Sequence, residues 1–335
     1  MRALYAVSPR FLHGRGGWAL LGSRAVEPVL HGVQALQSPL AGSVVTLGAF
    51  DGVHRGHQTL IRVAADAARD RKVPAIGFTF HPHPAKVLAP HRAPPLLMAL
   101  SERTQTMLGY GLDAVVVQPF DAAFAEVSAD AFVADYLVAP LQPQQVVVGF
   151  NFAYGKGRAG NLEHLRACGQ RWGFEVHVVE PVQQGEVVCS STAIRRHLEA
   201  GDISAAEQLM GRCHALTGVV VKGDQRGRTL GFPTANVASE AELLPKVGVY
   251  ATRVQIEGEQ AWRPSVSNIG RRPTFDGAHV TVEVHLLDFE QDLYGKRLRV
   301  QLVHRLRDEQ RFDGLPAIQA QLTRDVASAR ARLAS

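Results

Sequence analysis

Two rhythms of hydrophobic and polar positions divide the chain. In the first, short apolar runs at 44–47 (VVTL), 73–80 (VPAIGFTF), 113–120, 145–150 and 175–182 predict strands. Continuous apolarity, rather than alternation, marks strands buried on both faces. Helix-compatible stretches begin near Gly56 and recur at 101–110, 128–138 and 161–172. Strand and helix alternate five times along this part of the sequence, which predicts a parallel sheet covered on both faces, with right-handed crossovers. The second rhythm begins near Leu216. Runs at 217–222, 248–256, 280–289 and 298–306 are separated by glycine- and proline-rich turns, and they predict antiparallel strands closing into a small barrel. A terminal helix over 315–333, apolar at Ile318, Leu322, Val326 and Ala329, is expected to dock on it. The fold class is α/β plus β.

Length supports the division, because 335 residues are long for one domain. The expected layout is a flexible extension over 1–26, a first domain over 27–200, a helical connector over 201–215 and a second domain over 216–335. The extension carries four arginines and no acid before Glu27, so a targeting segment is the alternative there. Composition is that of a soluble globular protein, with 46% hydrophobic and 20% charged residues. No apolar run spans a bilayer. A net charge of +5 without a long basic run fits anionic small molecules as well as nucleic acid, and we expect the former and no nucleic-acid or membrane partner. Cys168, Cys189 and Cys213 form neither a CxxC pair nor a disulfide framework, which points to a cytoplasmic location. Oligomeric state stays open.

Five stretches carry candidate chemistry. His54-Arg55-Gly56-His57 falls where the first strand hands over to a helix, a place where open α/β sheets collect ligands and a helix start favours phosphate. A loop with two surface histidines is the plainer alternative. His81-Pro82-His83-Pro84 is a rigid loop that could line a pocket or, less simply, hold a metal through two histidines. The stretch 149–160 (GFNFAYGKGRAG) is a mobile basic loop suited to polyphosphate, or solvated surface, and Phe152 offers a ring either to a planar ligand or to the core. Ser190, Ser191 and Thr192 precede Arg195; one hydroxyl should cap a helix, and the arginine would add charge opposite a phosphate. In 227–236 (GRTLGFPTAN), Thr234 and Asn236 share one side of an extended segment, where their oxygens could meet Mg²⁺ or cap the backbone. Glu283, on an alternating strand, is a surface residue or a base.

These stretches resemble known families. The HxGH run resembles the nucleotidyltransferase signature, and GAFDGVHRGH is similar to the adenylyltransferase half of the bacterial riboflavin kinase/FMN adenylyltransferases. SSTAIR resembles their second signature, and GRTLGFPTAN with the later LLDF and DLYG turns resembles the riboflavin kinase half. The resemblance covers about 30 to 332. It implies a Rossmann-like nucleotidyltransferase sheet followed by a flavokinase β-barrel, making FMN and then FAD from riboflavin with ATP and Mg²⁺. It further implies catalytic roles for His54, His57, Arg195 and Glu283, and nucleotide contacts from Gly48, Phe50, Asp51, Gly56, Ser190, Ser191, Thr192, Gly231 and Thr234. Flavin contacts fall to His83, Asn151, Phe152 and Arg271, and metal contacts to Thr234 and Asn236. Ala49 departs from the family pattern, replacing a common Asn or Thr, and Asn151 matches an asparagine that the family's loop gives to the substrate pocket, although other members carry Asp there. A degraded adenylyl site, leaving a kinase alone, is therefore one rival; a flavin-binding module without turnover is the other.

Overall fold

The computed structural model describes residues 28–223, 231–274 and 277–334, with side chains between 271 and 280 set aside. The expected extension over 1–26, the whole GRTL segment before Gly231 and the Arg271 side chain lie outside the described residues. Contacts divide the chain into two compact units. One holds the residues up to Pro94 with Leu100–Cys189, and the other holds Pro95–Ala99 with everything from Ser190.

The first unit is built on six parallel strands in the order β1-β4-β3-β2-β5-β6. They are β1 (Val29–His31), β2 (Ser43–Leu47), β3 (Ala75–His81), β4 (Ala114–Pro119), β5 (Pro143–Gly149) and β6 (Glu175–Val179). The sequence predicts five of these; β1 adds an edge strand of three residues, too short to carry a pattern. Every residue of β2 is buried, as a central strand covered on both faces requires. The helix Arg55–Arg71 lays Leu60, Ile61, Ala64 and Ala68 on the core, at the spacing of one helical face. Where the sequence predicts a helix over 128–138, the chain widens into a π-helix over Phe132–Val138 that buries Phe132, Val133 and Leu137. A short hairpin of β7 (Gln183–Gln184) and β8 (Val187–Val188) follows the sheet.

The second unit is a closed antiparallel barrel in the order β10-β13-β12-β11-β14-β9. Its strands are β9 (Ala215–Val221), β10 (Ala235–Ser239), β11 (Gly248–Ile256), β12 (Trp262–Thr274), β13 (Gly277–Leu286) and β14 (Arg297–Arg307). The sequence predicts four of the six. Within β12, Pro264 and Pro273 mask the strand, because proline removes a ladder donor and reads as a break. The helix Leu315–Leu333 closes one side of the barrel, with Ala329 packed among Val249, Ala251, Val266 and Leu287. Arg307 fastens it through a buried bidentate pair to Asp325, at 2.7 and 2.9 Å. Helices Ser191–Ala200 and Ile203–Met210 also belong to this unit.

Candidate active sites

In the first unit, the turn after β2 is built from uncommon backbone. Phe50 and Val53 both take positive φ, at 51° and 37°. A β-branched residue is a true outlier there, and such strain persists only where surroundings over-determine it. Gln58 donates to the Val53 carbonyl at 2.9 Å and Thr79 to the Ala49 carbonyl at 3.2 Å, alongside Arg103, which is 2% exposed. Its guanidinium donates to the carbonyls of Ala49 (2.8 Å) and Phe80 (2.9 Å), tying together the ends of β2 and β3. Burial lowers the pKa of Arg103, and Asp51 partly opposes that. The sequence marks nothing special at Arg103, since a lone arginine on an amphipathic helix is ordinarily solvated.

His54 then sits at the start of the Arg55–Arg71 helix, and His57 lies one turn in. Their rings stack at 3.7 Å between centroids, with 24° between planes. Phe50 is fully buried with its ring edge-on to His57 at 5.2 Å. Asp51 is buried as well. Neither side chain presents an open face, so contributions from Phe50 and Asp51 run through backbone or through His57. Gly56 also has a local purpose. A Cβ on it would meet the His54 ring at 3.1 Å, so the glycine makes room for the imidazole itself.

Farther along the same sheet end lies a cavity of about 380 Å³, walled by Phe80, Phe120, Phe124, Phe132, Phe152 and Tyr154. Phe152, predicted to meet a flavin, is in this wall; Asn151 is exposed beside it, and His83 is not in the lining. Nδ1 of His83 instead accepts from the Ala85 N–H at 3.2 Å, capping the helix Pro84–Leu88. The stretch over 149–160, expected to be mobile, is tied by paired backbone bonds between Tyr154 and Gly160, and its Lys156 pairs with Glu126.

Ser190, Ser191, Thr192 and Arg195 fall in the second unit. Ser190 is the capping hydroxyl, accepting from the Ala193 N–H at 3.2 Å. Arg195 is buried and donates to the Pro95 carbonyl at 2.8 Å.

The barrel site is a row across five strands. Glu283 on β13 is directly opposite Asn236 on β10 and Asn268 on β12. Asn268 pairs in turn with Val249, and Val249 with Arg307. Residues opposite one another project from the same face with Cβ atoms about 5 Å apart. Here that face is the outer one, because Val282 and Val284 point into the barrel. Glu283, Asn268 and Thr234 line a cavity of about 270 Å³ between the barrel and the terminal helix, which contributes Leu322 and Val326. His285, two positions beyond Glu283, shares the cavity and bonds the Pro233 carbonyl at 2.8 Å. Asn236 is not in the lining, and Gly223 leaves space for it: a Cβ there would come within 2.2 Å of its amide. Gly231 is exposed at φ 82°. Asn268 carries no local signal of its place beside Glu283, His285 could be found through period-two spacing from Glu283, and the Arg307–Asp325 pair through nothing local.

Comparison with known proteins shows the family to which the chain belongs. A family model for FAD synthetase matches residues 36–193, and one for riboflavin kinase matches residues 210–333. The bifunctional riboflavin kinase/FMN adenylyltransferase of Escherichia coli (strain K12) is 40% identical over 303 residues, 90% of this chain and 96% of its own. The chain belongs to this family. The enzymes of the same name from Pseudomonas fluorescens and Bacillus subtilis (strain 168) are 40% and 34% identical, covering 90% and 89% of the chain and 97% and 94% of their own lengths. Among solved structures, one titled as a macrolide-efflux protein from Streptococcus pneumoniae matches with a TM-score of 0.81 and 32% identity, over 90% of this chain and 98% of that one. Among the described residues, no helix is long and apolar enough to cross a membrane. As a bifunctional family member the chain phosphorylates riboflavin to FMN and adenylylates FMN to FAD, with ATP the donor in both steps. The kinase is the C-terminal activity and the adenylyltransferase the N-terminal one.

Proposed function

We propose that the barrel row carries the kinase step and the histidine turn the adenylyl step, with Glu283 the base in the first and His54 and His57 the phosphate ligands in the second. The observation that carries this is the register of Glu283 between two asparagines beside a cavity that also receives Thr234. In the kinase step the ribityl 5′-hydroxyl attacks the γ-phosphorus of ATP and ADP leaves. Glu283 takes the hydroxyl proton as the oxygen bonds, and the flanking amides of Asn236 and Asn268 keep its carboxylate aimed. Thr234 and Asn236 offer the hard oxygens that suit Mg²⁺. Bound there, the ion would offset charge on the ATP phosphates.

In the adenylyl step an FMN phosphate oxygen attacks the α-phosphorus of a second ATP and pyrophosphate leaves. The stacked imidazoles donate to phosphate oxygens as negative charge builds. The six-ring aromatic cavity suits the flat isoalloxazine, with Phe152 in its wall. Arg195, with Ser190, Ser191 and Thr192, is assigned to the same step by its sequence motif. We further assign residues 27–200 to the adenylyl domain, 201–215 to a connector and 216–335 to the kinase domain. Three free cysteines and mild positive charge fit a cytoplasmic enzyme of anionic nucleotides rather than a nucleic-acid binder. The test is to measure riboflavin-dependent ADP release and FMN-dependent pyrophosphate release separately, with and without Mg²⁺. Both should appear and both should need the ion; FMN formation without pyrophosphate would leave the histidine turn inactive.

A further inference from the structure

Neither reaction uses a polar cluster in the first unit. His164 lies on the helix Leu162–Trp172, and its two ring nitrogens face different neighbours. Nδ1 is 2.7 Å from the Tyr154 hydroxyl and 3.7 Å from the Cys168 sulfur, while Nε2 is 3.5 Å from Asp130. Burial raises the pKa of both the Tyr154 hydroxyl and the Cys168 thiol, so both keep their protons. With Tyr154 donating to Nδ1, the ring proton belongs on Nε2, directed at Asp130. The result is an ordered chain from Asp130 through His164 to Tyr154.

Its far end is in the aromatic cavity. The Tyr154 ring stacks on Phe152 at 5.3 Å and 24°, and both line the space. A stacked wall recognises a flat ligand only while its tilt is fixed, and an anchored hydroxyl fixes it. A metal centre is the competing account, because donor atoms of Asp130, His164 and Cys168 all lie within 4.8 Å of one another. An ion held by one nitrogen of the imidazole, however, conflicts with the Tyr154 hydroxyl at Nδ1 or leaves the Asp130 contact at Nε2 without a purpose. A hydrogen-bonded chain accounts for all the contacts without that conflict.

We propose that His164 is a positioning residue for the adenylyl reaction: by holding the Tyr154 hydroxyl it sets the aromatic wall that receives the flavin ring of FMN. This rests on assigning the cavity to FMN. The test is steady-state adenylylation by the full chain, with FMN varied at saturating ATP. His164→Ala and Tyr154→Phe should each raise KM for FMN about fivefold, with kcat unchanged within about twofold. The double variant should be no worse than either alone, since both remove one bond. His164→Asn, whose amide reaches the place of Nδ1, should restore KM. The retained kcat for adenylylation and an unchanged thermal unfolding transition of the first unit report that each variant is folded where it is altered. A fall in kcat with unchanged KM, additive effects, or no rescue by asparagine would overturn the positioning role. Phe152→Ala separates the two levels. If it raises KM while His164→Ala does not, the cavity holds FMN and the positioning role is wrong; if it leaves KM unchanged, the cavity assignment itself fails and takes the proposal with it. Stoichiometric Zn²⁺ binding by the unaltered chain, lost in Cys168→Ser, would make the cluster a metal centre and likewise overturn it.

Discussion

The two sites are assembled by opposite means. The histidine turn is local: His54 and His57 lie three positions apart, one helical turn brings their rings into contact, and side chains of Gln58, Thr79 and the buried Arg103 bond the strained backbone ahead of them. The barrel site is non-local. Asn236, Glu283 and Asn268 meet only because β10, β13 and β12 pair in one register, and a slip of one residue would send Glu283 into the barrel interior. A local site depends on side-chain room and backbone strain, whereas a register site depends on the integrity of the sheet. The variants that follow press on that difference.

The largest effects should come from the reacting groups. Glu283→Gln keeps the shape of the row and removes the base, so FMN formation should fall at least about a hundredfold while FAD formation from supplied FMN is retained. His57→Ala should do the reverse, lowering FAD formation about a hundredfold and sparing the kinase. Initial rates of ADP and pyrophosphate release measure both.

Spacing variants should act less strongly. Gly56→Ala places a Cβ 3.1 Å from the His54 ring, and the displaced imidazole should cost the adenylyl step about tenfold. Because alanine favours helices, the same change should leave thermal stability equal or higher, separating activity from folding. Gly223→Ala is the barrel counterpart. It crowds the Asn236 amide and should raise the kinase KM for Mg·ATP about fivefold, read from a titration at saturating riboflavin.

The smallest effect at neutral pH concerns His214, wholly buried in the second unit. Burial, with Arg212 adding to it, pushes its pKa down to about 4 from 6.5. The unfolded chain therefore takes up a proton between those values that the folded chain refuses. Stability present above pH 6.5 should decline as pH falls toward 4, by about 3 kcal/mol, and His214→Leu should flatten that slope in denaturant titrations.

The same contrast explains what could be read from the sequence. Contiguous motifs were legible, and so were the strands whose apolar runs are unbroken, such as β2 and β5. Glu283 was legible as a candidate because a charge on an alternating strand stands out. Asn236 was legible as a candidate too, but the pairing of Asn268 with Glu283 was not, since Asn268 lies fifteen positions earlier in a proline-interrupted strand. The second purpose of Gly56 was not legible for a different reason: glycine before a phosphate site invites a ligand explanation, and only the position of the His54 ring adds the local one. Arg103 and the Asp130–His164–Tyr154 chain join residues whose proximity no local pattern encodes.

The most direct measurement is a chromatographic time course with riboflavin, ATP and Mg²⁺ on the unaltered chain, His57→Ala and Glu283→Gln. Two separate sites predict FMN then FAD from the first, FMN that accumulates from the second, and FAD from the third only when FMN is supplied. Loss of both activities together in either folded variant would contradict the division between the histidine turn and the barrel row.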